Sequence, residues 1–332
     1  MTPVEQQYHR TVNAIAFALL VFFALLFVQQ TALYLLPLFA SALPEVTYNV
    51  MHDLTQGVLY ALAFSLPVFF FYRITRGTPL QRPIFLEPKL PRETPLYILF
   101  GMAVVSAAAY LNSIMVNVFD YSAFSEAVFG ASETMADYRI ALMVFTTAVV
   151  PAFVEEFLFR GMVLGNLLPY GRTTAIFASA LLFGLMHQNV GQFFYATAAG
   201  VVLGWIYVRT RSVWPGVLVH FCNNFYSVLQ TPITQRLAED TATDVLNAVE
   251  IAIFLLGAAA GVWLLLTERD RRPEIRRTGA FEVELPASAD YAPLEITASR
   301  RVRLFFSAAM VVFVTLCVIS MGTVLMVAVF AY

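Results

Sequence analysis

Charge is what this chain has least of. Only 13% of its 332 residues are Asp, Glu, Lys or Arg, about half of the roughly 25% usual for soluble domains. A soluble fold of this length needs more polar surface than that to cover its core, so an ordinary soluble enzyme and a disordered chain are both excluded. Cysteine is nearly absent. Cys222 and Cys317 both lie in apolar runs, which excludes a disulfide-built secreted domain. The net charge of −2 gives no footing for nucleic-acid binding. There is no internal repeat, no low-complexity tract and no Gly-x-Ser-x-Gly motif. Every Asp falls in a predicted loop or at the end of an apolar run, so a pair of intramembrane aspartates is excluded as well.

What the chain has instead is hydrophobicity. It is 59% apolar, with a mean hydropathy of +0.72. About 20 consecutive apolar residues suffice to cross a bilayer. The expectation is an all-α, polytopic transmembrane bundle of about nine spans, near 12–39, 54–72, 95–118, 139–164, 173–188, 192–208, 213–231, 246–267 and 304–330. The first run continues far past the 7–15 apolar residues of a signal peptide. It is therefore read as a retained helix, although Ala40-Ser41-Ala42 resembles a cleavage site.

With nine spans, 17 of the 20 basic residues fall on one side of the membrane. Arg139 and Arg236 lie on the other side among acidic residues, and Arg160 lies inside a span. By the positive-inside rule the N-terminus is cytoplasmic. The expected localisation is an integral, multi-pass membrane protein, in the plasma membrane if the source is prokaryotic. Residues 1–267 are read as the main helical bundle, 268–303 as a basic cytoplasmic loop against anionic lipid, and 304–332 as an additional C-terminal transmembrane helix.

Ionisable groups inside a membrane are expensive and mark function. The fourth run reads Val149-Val150-Pro151-Ala152-Phe153-Val154-Glu155-Glu156-Phe157-Leu158-Phe159-Arg160-Gly161, with three charges in two turns. Glu156 and Arg160 are four apart and share a face, so they are expected to pair. Glu155 is turned about 100° away and needs a partner from elsewhere or must lose its charge on burial. Pro151 removes the hydrogen bond to the carbonyl of Thr147 and is expected to bend the helix beside Glu155. Phe183 and His187 share a face of the fifth span, as do His220 and Asn224 of the seventh. Ala196, Gly200 and Gly204 of the sixth have the small-xxx-small spacing that lets helices approach closely.

Glu155-Glu156-x-x-x-Arg160, Phe183-x-x-x-His187 and His220-x-x-x-Asn224, in this order on three membrane helices, resemble the CAAX prenyl protease 2 family, also called the CPBP or ABI family of intramembrane proteases. The motifs cover residues 150–225. The family fold is described as eight spans, so the ninth is an addition. The resemblance implies that Glu155, His187, His220 and Asn224 are catalytic and that Glu156 and Arg160 support them, with Phe183 beside His187.

The reaction expected is hydrolysis of a peptide bond in a peptide or membrane-anchored protein, with CAAX-type C-terminal processing as one form of it. Glu155 and His187 would activate a water, and His220 and Asn224 would donate to the oxyanion. No cofactor is needed in that reading. An alternative makes Glu155, His187 and His220 ligands of a Zn ion, although the chain lacks His-Glu-x-x-His. Two other classes are a proton-coupled transporter and a non-catalytic scaffold or immunity protein. The polar residues crowd into spans four, five and seven with no matching set elsewhere, unlike the repeated halves of many transporters. Substrate identity and oligomeric state stay open.

Overall fold

The computed structural model describes residues 1–40, 42–78, 90–118, 136–278 and 296–330. The described residues are helical throughout, as the apolar runs require, because a backbone in lipid must satisfy its own polar groups. The helices are α1 (Pro3–Ala40), α2 (Glu45–Ile74), α3 (Thr94–Val118), α4 (Asp137–Tyr170), α5 (Arg172–Met186), α6 (Val190–Thr210), α7 (Trp214–Arg236), α8 (Glu239–Thr278), α9 (Ala298–Phe305) and α10 (Ala308–Phe330). Among the described residues six helices are long and apolar enough to cross a membrane: α1, α2, α3, α4, α6 and α8. The bent pair α9–α10 makes a seventh if it counts as one span. The expected number of nine is therefore not confirmed. At 15 residues α5 is short, and α7 does not meet the same criterion.

The last expected span, 304–330, corresponds to α10 together with the end of α9. The two helices meet at 70°. The side chain of Thr297 caps α9 by accepting from the Arg300 amide at 3.4 Å, and Ser307 does the same for Met310 of α10. Arg300, Arg301 and Arg303 crowd onto α9, while its Leu304 and Phe305 are buried. An amphipathic helix of this kind lies along an interface rather than through it. The basic loop expected from 268 also begins later, since α8 continues to Thr278. Residues 279–295, and residues 79–89 of the connector after α2, lie outside the described residues.

Ion pairs mark the two ends of the bundle. At one end Arg300 reaches Glu5 at 2.9 Å, and Arg301 donates to the Tyr170 carbonyl at 2.9 Å. At the other, Arg236 pairs with Asp137 at 2.6 Å, and Arg139 lies 3.7 Å from Asp53. These contacts group the chain ends as the alternation of basic loops groups them.

The core is continuous from α1 and α2 through α4 and α5 to α10. α5 and α6 pack most closely, for the reason their small residues suggest. A Cβ on Gly200 would stand 2.8 Å from the Cα of Ala180. The same approach brings the Gly200 carbonyl within 3.4 Å of Arg160 Nη2. Ser179 of α5 donates to the Phe159 carbonyl of α4 at 2.8 Å. Thus α4, α5 and α6 are tied at the depth of the charged residues.

Because the atom that a Gly200→Ala side chain would meet is backbone, α5 and α6 must separate to admit it. Overpacking of that kind costs about 1–3 kcal/mol. The expected result is a lower unfolding midpoint in detergent, measured by a thiol-reactive dye or by loss of helical circular dichroism.

Candidate active site

Glu155 and Glu156 sit in an α-helical stretch, Val150–Glu156, between two π-helical ones, Val144–Val149 and Phe157–Leu164. The wider π turns frequently occur at functional sites. Pro151 has no N–H to offer Thr147, and the helix responds by widening rather than by breaking. The Thr147 carbonyl is claimed from outside: Asn224 Nδ2 of α7 donates to it at 3.1 Å. The motif asparagine therefore fixes α7 against the place where the proline leaves an acceptor open. Its own carbonyl oxygen accepts from Asn223 at 3.3 Å.

Glu156 and Arg160 pair as their spacing predicts, at 2.8 Å, and both are fully buried. The arginine also lies over the ring of Phe183, 4.4 Å from its centroid. Glu156 has a second partner that helical spacing did not reveal. Its Oε1 is 3.1 Å from Nδ1 of His220. Room for the carboxylate comes from Gly216, one turn before His220, where any Cβ would lie 3.0 Å from Glu156 Oε2.

Glu155 finds the external partners that it needs. The hydroxyl of Tyr60, on α2, donates a hydrogen bond to Oε1. Oε2 is buried, has no hydrogen-bond partner and stands 3.8 Å from Nε2 of His220. The His220 ring is thus held between two carboxylates, Glu156 at Nδ1 and Glu155 at Nε2. Sequence reasoning missed Tyr60. A tyrosine in an apolar span carries no charge to draw notice, and it is 95 positions from its partner.

His187 occupies the C-terminal end of α5, with Nδ1 2.9 Å from the Phe183 carbonyl. It joins the others through Phe183. That ring packs edge-on against His187 at 5.1 Å and against His220 at 5.9 Å. The four motif residues and their supports therefore form one connected cluster, in spite of the different depths that straight helices would give them. Among the described residues no three His, Cys, Asp or Glu side chains are placed to hold one metal ion.

A cavity of about 650 Å³ opens beside the cluster, with Tyr60 and His187 in its wall. It lies between α1, α2, the end of α5, the start of α6 and α10. Its position follows from the length of α5. Fifteen residues rise about 22 Å, short of the roughly 30 Å hydrocarbon core, and the chain turns back at Gln188 with a left-handed φ of 52°.

Residues 137–226 match the family model described as Type II CAAX prenyl endopeptidase Rce1-like. The chain is also 28% identical over 108 residues to the Bacillus subtilis (strain 168) protein named "Putative membrane peptidase YdiL". That alignment takes in 31% of this chain and 43% of the relative, so less than half of the relative's length is shared. No solved structure matches. Helices α4 to α7, which carry all six charged, imidazole and amide motif residues, are thus the part of this multi-pass membrane protein that is similar to the type II CAAX prenyl endopeptidases.

Proposed function

We propose that the chain is an intramembrane endopeptidase that hydrolyses a peptide bond with a water activated by Glu155. The observation that carries this reading is the pair of environments around the Glu155 carboxylate. One oxygen is anchored by Tyr60, and the other is buried, without a hydrogen-bond partner and directed at an imidazole. A carboxylate held on one side and open on the other is arranged to accept a proton.

In this reading Glu155, assisted by His187 at the cavity wall, takes a proton from water while the oxygen attacks the scissile carbonyl carbon. The developing oxyanion accepts hydrogen bonds from His220 and Asn224. In its imidazolium form His220 donates from both nitrogens; Glu156 holds Nδ1, and Nε2 is left for the oxyanion. Asn224 spends one N–H on Thr147, and its amide carries a second. The proton on Glu155 then passes to the departing amine as the C–N bond breaks, giving a carboxylic acid and a new amino terminus. With Glu155, Glu156, Arg160 and His220 all ionised, the buried charges sum to zero, which supports their survival at membrane depth.

No step in this reading is assigned to a metal. CAAX-type processing of a C-terminal segment enters from the family likeness alone. An N-terminus in the cytoplasm would place the Arg300–Glu5 end of the bundle on the cytoplasmic side. The substrate is a peptide or membrane-anchored protein reached within the bilayer.

Replacing the base should abolish the reaction and spare the fold. Glu155→Gln is expected to lower the rate by at least about a hundredfold, the low end of general-base contributions, with helical circular dichroism retained. The assay uses purified protein with two quenched reporters, one a farnesylated C-terminal tetrapeptide and one an unprenylated membrane-anchored peptide. Cleavage by Glu155→Gln at the wild-type rate would remove the assignment. Tyr60→Phe deletes one hydrogen bond to a charged group, about 1.5–3 kcal/mol. It should therefore lower kcat by about ten- to a hundredfold, with KM little changed.

A further inference from the structure

The cavity beside Tyr60 and His187 has an unusual lining for a membrane protein. Six carboxamide residues line it: Gln29 and Gln30 of α1, Gln56 of α2, and Gln188, Asn189 and Gln192 at the α5–α6 turn. None of the residues lining it is an Asp, Glu, Lys or Arg. Carboxamides donate and accept without carrying charge. That is the complement of a peptide main chain, which offers one N–H and one C=O at each residue.

Gln29 makes the point at a single atom. The residue is only 4% exposed. Its Nε2 lies at 3.5 Å from the Gln56 carbonyl, the limit of a hydrogen bond. Its Oε1 is buried and has no hydrogen-bond partner. A buried acceptor left in that condition costs about 1–3 kcal/mol, and a residue that existed only to pack would be better replaced by Leu.

The far wall of the cavity is α10, which lies outside the segment matched to the family. Ser320 donates to Gln188 Oε1 at 2.6 Å, and Val324 borders the same space. The Ser320 contact pins Gln188 in its left-handed conformation, one residue beyond His187.

We propose that this cavity binds the main chain of an uncharged, extended peptide segment, with Gln29 turning its sealed Oε1 into the cavity to accept one of its N–H groups and α10 forming the outer wall. The volume falls in the range of ligand pockets, about 300–1,000 Å³. A segment lying there ends at Tyr60 and His187, so its next peptide bond is presented to Glu155. The proposal rests on the endopeptidase reading for its purpose but not for its test. It also accounts for α10, since the added helix closes a seat that α4–α7 alone would leave open on one side.

The test separates binding from cleavage. Cys222→Ala and Cys317→Ala are combined with Val324→Cys and with the non-cleaving Glu155→Gln, and the single thiol is titrated with a maleimide in detergent. The probes are two decapeptide mixtures, one built from Ala, Val, Leu, Ser and Thr, the other containing Asp and Lys at alternate positions. The uncharged mixture is expected to slow labelling at least fivefold and the charged one not at all. In protein that keeps Glu155, Gln29→Leu should raise KM for the uncharged reporter about five- to tenfold with kcat within twofold, and its melting midpoint should stay level or rise. A role in packing alone would leave KM unmoved.

Absence of protection, or equal protection by both mixtures, overturns the proposal. So does an unchanged KM in both Gln29→Leu and Val324→Trp. Protection without cleavage by the Glu155 protein sinks the endopeptidase reading and leaves the peptide seat standing. Cleavage at unaltered KM without protection does the reverse.

Discussion

Four ionisable groups buried together govern this molecule. Glu155, Glu156, Arg160 and His220 lie at less than a tenth of their free exposure, in a chain with little charge elsewhere in its apolar runs. Each charge alone at mid-membrane would cost about 2.5–3.5 kcal/mol on insertion scales. Together they satisfy one another: Arg160 against Glu156, Glu156 against His220, His220 against Glu155. Much of the surrounding architecture can be read as what that grouping demands. Gly200 lets α6 come close enough for its carbonyl to meet Arg160. Gly216 clears room for the Glu156 carboxylate. Phe183 offers its face to the guanidinium and its edge to both imidazoles.

The same constraint explains why the first motif sits on a distorted helix. An ideal helix would place Glu155 and Glu156 about 100° apart. Here both point inward, flanked by π turns that change the local rotation. Pro151 supplies the defect, and Asn224 repairs its electrostatic consequence by donating to Thr147. Two of the three motifs are therefore linked through a backbone carbonyl as well as through the charged cluster. Displacing α7 would disturb the Glu155 segment by both routes.

The sequence made the charged part of the site legible because ionisable residues in apolar runs are few and their spacing is informative. The Glu156–Arg160 pair, the separation of Glu155 from it and the packing face of α6 all follow from helical periodicity. What escaped was uncharged or distant. Tyr60 is amphipathic and unremarkable in a membrane span, so nothing nominated it as the donor to Glu155. Gln29, Gln30 and Gln56 carry no charge to single them out, although amides at this depth also need partners. The freed carbonyl of Thr147 was foreseen and its donor was not, because that contact joins helices 77 residues apart. The bend between α9 and α10 was hidden by continuous hydropathy; Ser307 and the run of arginines before it are the signals that local capping would have added.

The brevity of α5 reaches beyond the protein itself. Phe177 and Leu181 on its outer side are exposed to the surroundings, yet the helix that carries them falls several ångströms short of the hydrocarbon thickness. Lipids against that face must shorten or tilt to keep their chains covered, since mismatch of this sense is relieved by local thinning. A thinner layer of oil beside α5 makes acyl-chain length a parameter of the protein's environment as much as of the membrane.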